Sequence, residues 1–267
     1  MRLTRLFLAF LIIISPMRSL AQSESQGGPL IDYGTRFTPA IASRGMVSGP
    51  EKLASEAGLA MLKKGGNAID AAVATGFALA VTLPRAGNIA GGGFMLVHLA
   101  DANKQVFIDY REMAPAAASR DMFLNEDGTV NKRKAYNSVS AAGIPGTVAG
   151  LIHALEQYGT LDLKTVMQPA IDLAEKGFAV PAALHLNLRS AAKRLGRNEE
   201  ANRIYLGGTG TAPAMGTLFK QPDLAATLKL VRDKGFDGFY KGKTATLIAA
   251  EMQRGGGVMN ADDLASY

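Results

Sequence analysis

Two stretches decide how this chain is read: Gly87-Asn88-Ile89-Ala90-Gly91-Gly92-Gly93-Phe94-Met95-Leu96-Val97, and a little further on Ile108-Asp109-Tyr110-Arg111-Glu112-Met113-Ala114-Pro115. A glycine-rich hinge opens one apolar strand, and a second strand ends in an arginine between two carboxylates. Glycine tolerates positive φ and lets another backbone come close. Arginine is a fixed planar cation whose fork matches a carboxylate with two parallel hydrogen bonds. Together they read as a pocket for an anionic small molecule, anchored by Arg111. The competing structural reading is an ion pair of Arg111 with Asp109 or Glu112. The glycines are not a phosphate loop, because neither Lys-Ser/Thr nor a helix follows Gly91-Gly92-Gly93, and Gly87 to Gly92 lacks the G-x-G-x-x-G spacing. They read as a turn where bulk would clash with a neighbouring backbone.

Phe94–Leu99 and Gln105–Tyr110 are apolar-rich runs joined by the polar Ala100–Lys104, which predicts a β-hairpin. Upstream, Gly45-Met46-Val47 reads as a short strand, and Ser48-Gly49-Pro50-Glu51 as a capping box with proline just inside a helix. That helix buries Ala54, Ala57, Met61 and Leu62 and ends at Gly65-Gly66. Asn67 caps the next helix, with Asp70 three residues on. From Ala68 to Leu83 nearly every face is small or apolar, so this helix is buried on most sides, and Pro84 ends it. A membrane span is the weaker reading, since the length is marginal and no aromatic or basic flank is present.

Residues 114–140 read as mostly irregular, with a turn at Asn125-Glu126-Asp127-Gly128 and a solvated loop at Lys132-Arg133-Lys134. From Gly146 onward the apolar spacing is helical: Thr147–Tyr158, Leu163–Lys176 with Pro169 inside it, Ala182–Leu195, Asp223–Lys234, Thr244–Arg254, and Ala261 onward. The class is mixed α/β, helix-rich after residue 146.

The 267 residues are 48% hydrophobic and 19% charged, which supports a core and argues against disorder. No cysteine is present, so disulfide scaffolds, thiol chemistry and thiolate metal sites are excluded. Arg2 and Arg5, the apolar run Leu6–Ile14 and the small-x-small Ser19-Leu20-Ala21 predict a secretory signal peptide over residues 1–21, too short to span a bilayer. Its removal takes three arginines and no acid, lowering the net charge from +6 to +3. No basic, aromatic-interleaved surface for nucleic acid is visible. The expected organisation is therefore the signal peptide, a polar N-terminal arm over 22–44, and one domain from 45 to 267.

No metal site is expected, since His98, His153 and His185 lack metal-ligand spacing to each other or to acids. They read as packed or capping side chains, and nothing in the sequence joins them into a triad with Asp109 or Asp70. Cleavage after Ala21 would expose Gln22, which has no hydroxyl or thiol, and nothing marks Thr35 or Thr38 for exposure.

The hinge and the Asp-Tyr-Arg-Glu segment closely resemble the large subunit of bacterial gamma-glutamyltranspeptidase, also called glutathione hydrolase. Lys64-Gly65-Gly66-Asn67-Ala68-Ile69-Asp70-Ala71-Ala72-Val73-Ala74, Ala142-Gly143-Ile144-Pro145-Gly146-Thr147-Val148-Ala149-Gly150, Gly235-Phe236-Asp237-Gly238-Phe239-Tyr240-Lys241-Gly242 and Asp262-Asp263-Leu264-Ala265-Ser266-Tyr267 extend the resemblance, in order, from about Arg44 to Tyr267. It implies part of the αββα N-terminal-nucleophile hydrolase fold, with 45–267 an incomplete large-subunit domain. It implies that Arg111 binds the α-carboxylate of the γ-glutamyl group, although family members often carry Phe where Tyr110 stands. It implies a nucleophilic threonine, exposed by autocleavage at the start of a small subunit beyond Tyr267, so that residues 1–267 hold no catalytic nucleophile and are inactive alone. No cofactor is implied. The implied partners are glutathione and other γ-glutamyl compounds, acceptor amino acids or peptides, and the small subunit, in a periplasmic or secreted protein. A cephalosporin-acylase-like or poly-γ-glutamate-cleaving relative, and a non-catalytic binding or scaffold protein, are the alternatives.

Overall fold

The computed structural model describes residues 39–267. The expected signal peptide and most of the expected N-terminal arm lie outside the described residues. Residues 44–267 form one unit.

Helix α1 (Lys52–Lys63) buries Ala54, Ala57, Gly58 and Met61. Its cap is not the box read around Ser48. Glu51 is the N-cap, and its carboxylate accepts the Ala54 N–H at 2.9 Å. Gly45-Met46-Val47 makes no ladder, so the strand expected there is absent among the described residues.

Helix α2 (Ala68–Thr82) is the centre of the core. Its capping box is present: Asn67 Oδ1 accepts the N–H groups of Ile69 and Asp70, and Asp70 Oδ2 accepts the Asn67 N–H at 2.6 Å. Val73, Phe77 and Val81 are fully buried. Each such side chain contributes about 1.5–3 kcal/mol over leaving it exposed. The helix is covered by α1, by α4 (Thr147–Tyr158) and by α5 (Leu163–Lys176), which runs through Pro169.

Strands β1 (Phe94–Leu99) and β2 (Lys104–Asp109) pair antiparallel, with Leu96 opposite Phe107 and Val97 opposite Val106. Asn103 takes the left-handed turn position, at φ 43°. Val97 and Ile108 face the core. On the other face Phe94, Leu96 and Phe107 are 51%, 69% and 62% exposed, with the two phenylalanine rings stacked at 5.6 Å. The two apolar runs and the polar loop between them therefore predict the hairpin correctly, but both of its faces carry apolar side chains and this unit covers one.

Between the hairpin and α4 the chain is irregular apart from α3 (Lys132–Asn137) and a 3₁₀ turn at Val139–Ala141. The basic run 132–134 is thus helical rather than a loop. Asn131 supplies the reason, since its side chain accepts the Lys134 N–H at 2.9 Å. The helices α6 (Ala182–Leu195), α8 (Pro222–Lys234), α10 (Gly242–Arg254) and α11 (Ala261–Ala265) lie where the spacing predicts. Helices α7 (Glu199–Leu206) and α9 (Asp237–Tyr240) have no counterpart in the sequence reading, nor has the two-residue ladder of β3 (Phe178–Ala179) with β4 (Leu218–Phe219). These elements are too short to show a hydrophobic period.

Candidate functional site

Arg111 is the first residue past the β1–β2 ladder. Tyr110 and Gly93 still exchange backbone bonds at 3.0 and 3.2 Å. The Arg111 N–H then turns onto Asp109 Oδ1 at 2.9 Å, an Asx-type bond that bends the chain out of the sheet. The guanidinium is 67% exposed. Its Nε donates to Glu112 Oε2 at 3.1 Å, and its Cζ lies 5.9 Å from the centre of the Phe94 ring, within cation–π range. Among the described residues the two terminal nitrogens bond nothing. The ion pair with Glu112 is therefore formed without using the terminal nitrogens. Glu112 takes one edge, in an exposed pair worth about 0–1 kcal/mol, and the edge suited to a carboxylate stays open.

The guanidinium borders a cleft of about 580 Å³. The irregular stretch after the hairpin forms its wall, through Pro115, Met122, Phe123 and Ser140. Ser140 is the only hydroxyl among the lining residues, and it donates to the Gly256 carbonyl at 2.9 Å. No histidine lines the cleft. Its walls can bind and orient an anion, but they present no nucleophile paired with a base.

Three other segments hold the Arg111 strand end. The glycine hinge lies flat against it: a Cβ on Gly92 would stand 2.5 Å from the Tyr110 carbonyl oxygen and 2.7 Å from the Glu112 nitrogen. Backbone bridges join Met113 to Ile144 at 3.2 and 2.8 Å, and the N–H groups of Gly146 and Thr147 donate to the Gly91 carbonyl at 2.7 and 2.9 Å. The start of α4 thus caps the hinge. A Cβ on Gly150 would meet Tyr110 Cγ at 2.1 Å, so that glycine admits the Tyr110 ring. Burial there pushes the Tyr110 phenol up from its ordinary value. The third segment is α11 and the two residues after it. Asp263 Oδ1 accepts the Ala116 N–H at 2.9 Å, and the Tyr267 hydroxyl donates to the Arg111 carbonyl at 2.9 Å. In the sequence these last residues are family-like but show no role of their own. A signal is present in Asn260 and Asp263, which carry the same capping spacing as Asn67 and Asp70.

The histidines lie elsewhere. His98 is on the exposed face of β1 and His153 on the outer face of α4, so neither is packed as expected. The alternation of a strand and the 3.6-residue turn of a helix each leave one face in solvent. His185 is half-buried, its Nδ1 2.8 Å from the Pro213 carbonyl. Among the described residues no group of three His, Asp or Glu side chains could hold a metal ion. No helix among them is long and apolar enough to cross a membrane. A cavity of about 120 Å³ between Leu83–Arg85 and α6, and a groove of about 550 Å³ along α2, do not include Arg111.

The family model described as gamma-glutamyltranspeptidase matches residues 54–267. The chain is 45% identical over 242 residues to the glutathione hydrolase proenzyme of Escherichia coli strain K12, covering 90% of this chain and 42% of that protein. It superposes on the crystal structure of Helicobacter pylori gamma-glutamyltranspeptidase with a TM-score of 0.84 at 42% identity, covering 86% of this chain and 66% of that one. On the gamma-glutamyltranspeptidase of Pseudomonas nitroreducens complexed with L-DON the TM-score is 0.77 at 43% identity, covering 85% and 66%. The chain thus spans less than half the length of the curated relative it matches.

Proposed function

Because this chain belongs to the gamma-glutamyltranspeptidase family, as the N-terminal part of the large subunit with a partial N-terminal-nucleophile hydrolase fold, we propose that it builds the carboxylate-binding half of a γ-glutamyl site. The whole protein would cleave γ-glutamyl amide bonds, as in glutathione, and pass the γ-glutamyl group to water, an amino acid or a peptide. The observation that carries this reading is the open edge of the Arg111 guanidinium at the mouth of a cleft whose other polar side chains, Glu112 and Ser140, are already engaged with Arg111 Nε and the Gly256 carbonyl. An α-carboxylate would accept two parallel bonds there, charge-assisted and about twice as strong as neutral ones.

The described residues bring no paired nucleophile to the cleft, so that group would come from a segment outside them. The family resemblance points to a threonine freed by autoprocessing, whose hydroxyl attacks the γ-carbonyl while its own amine takes the proton. The substrate's amine leaves, and a γ-glutamyl ester remains for the acceptor. The leader at residues 1–21, which lies outside the described residues, supports export to the periplasm or beyond.

Turnover of γ-glutamyl-p-nitroanilide by the whole protein tests the proposal. Release of p-nitroaniline that is stimulated by an amino-acid acceptor is expected. No release from γ-glutamyl substrates, with turnover of a cephalosporin side-chain amide instead, would replace this reading with the acylase one.

A further inference from the structure

We infer that Tyr267 is a positioning residue for Arg111: its phenol locks the Arg111 peptide, and so sets the direction in which the guanidinium reaches into the cleft. The inference rests on the reading of Arg111 as the carboxylate ligand.

Arg111 stands beyond the ladder, where its carbonyl no longer has a strand partner. The Tyr267 hydroxyl, 156 residues away in sequence, satisfies that carbonyl at 2.9 Å. With Asp109 Oδ1 on the Arg111 N–H, both backbone polar groups of this one residue are held by side chains. Gly92 closes the remaining side of the peptide, a Cβ there standing 2.9 Å from the Arg111 carbonyl carbon. The two peptide planes that meet at the Arg111 Cα are thereby each held by a side-chain hydrogen bond, with Gly92 packed against both.

Tyr267 is itself held. Its ring stacks on Tyr240 with centroids 5.6 Å apart and planes 13° from parallel. Tyr240 is fully buried, stacks on Phe236 at 4.2 Å, donates to the Pro145 carbonyl at 2.8 Å and accepts the Ala149 N–H at 3.2 Å. A Cβ on Gly146 would lie 2.1 Å from the Tyr267 oxygen, so the phenol reaches Arg111 across a residue that must lack a side chain. Asp263, one turn earlier, binds the Ala116 N–H and so holds the far end of the same segment. Residues 263–267 therefore hold the chain at Arg111 and again five residues on, at Ala116. Burial, and then the carboxylates of Asp109 and Glu112, push the phenol up from its ordinary value, which keeps it a donor at physiological pH.

A guanidinium at the end of a long side chain magnifies any tilt of its own peptide. Misplacement of a binding group by about 1 Å can cost about a hundredfold in rate. Tyr267→Phe keeps the stacked ring and removes only the hydroxyl, so it leaves the packing that folds the segment in place. In the whole protein, the KM for γ-glutamyl-p-nitroanilide should rise about tenfold in Tyr267→Phe, with kcat within about twofold and the melting temperature nearly unchanged. The 4-aminobutyryl analogue, which lacks the α-carboxylate, should show no change. In an Arg111→Lys background the same substitution should add less than about twofold, since the group it positions has lost its fork. Equal losses on both substrates, no loss at all, or a full additional loss on top of a selective Arg111→Lys would overturn the positioning role and leave the Arg111 reading standing. An Arg111→Lys enzyme that does not discriminate the two substrates would overturn the Arg111 reading, and this inference with it.

Discussion

The Asp70 carboxylate, buried at the start of α2, accepts both the Thr160 hydroxyl at 2.6 Å and the Thr160 N–H at 2.9 Å across the loop between α4 and α5. The Leu161 N–H at 3.0 Å and the Asn67 N–H at 2.6 Å complete the set. One side chain thus caps a helix and ties that helix to a loop some ninety residues on. Burial alone would raise its pKa, but the bonds from Thr160, Leu161 and Asn67 outweigh it and the net direction is down.

Asp70→Asn should therefore destabilise the fold by about 1–3 kcal/mol, because an amide turns donors toward N–H groups that need an acceptor. A folded pKa below the unfolded value means that the stabilisation is present above about pH 3.9 and is lost as pH falls through the folded value. Denaturant unfolding of both proteins between pH 7 and pH 2 checks this. The curves should lie apart at neutral pH and converge in acid, and a constant gap across the range would contradict the assignment.

Arg111→Lys in the whole protein should lower kcat/KM for γ-glutamyl substrates by about tenfold to a hundredfold or more, the loss of a charge-assisted bond worth about 1.5–3 kcal/mol. Lysine keeps the charge and loses the fork. The melting temperature should hardly move, since among the described residues the ion pair affected is the exposed one with Glu112. A large drop in melting temperature without a change in kinetics would return Arg111 to a structural role.

Gly92→Ala should cost about 1–3 kcal/mol, because the new methyl meets backbone atoms at 2.5 and 2.7 Å that have no room to yield. It should also raise KM, as it pushes on the peptide that carries the guanidinium. Gly196→Ala, whose methyl would approach the Ala192 carbonyl oxygen at 3.2 Å, is the milder comparison and should cost less than Gly92→Ala. Thermal melts of the pair, with kinetics, decide.

The exposed hairpin face should be separable from the core face. Leu96→Thr with Phe107→Thr should reduce binding of the apolar dye ANS by this chain and leave its melting temperature within a few degrees. Val97→Thr, on the buried face of the same strand, should lower it markedly by placing an unpaired hydroxyl in the core. Equal dye binding before and after the double substitution would mean that this face is not the exposed apolar surface.

Much of the architecture is legible because it is periodic. The all-round apolar character of Ala68–Leu83 predicts a buried helix, and α2 is one. The hairpin and the long helices after Gly146 follow from spacing in the same way. The cap at Glu51 is ambiguous in the sequence because Ser48, Pro50 and Glu51 all offer start signals, and only backbone geometry selects among them. The helix at 132–137 stays hidden because a basic run on one turn has no apolar face to betray it.

Read alone, the residues establish that this chain has a core, that its second long helix is buried on most sides, that a glycine hinge and an arginine sit on neighbouring strands, and which family those segments resemble. These are local or periodic properties, carried by residues near one another in the chain. The packed chain adds that Arg111 keeps an open guanidinium edge despite Glu112, that Gly92, Gly146 and Gly150 are small so that Tyr110 and Tyr267 can come close, and that Tyr267 reaches back to the Arg111 carbonyl. Those relationships join segments far apart in sequence through single hydrogen bonds and close van der Waals approaches, which leave no period in the chain and exist only once the helices have packed.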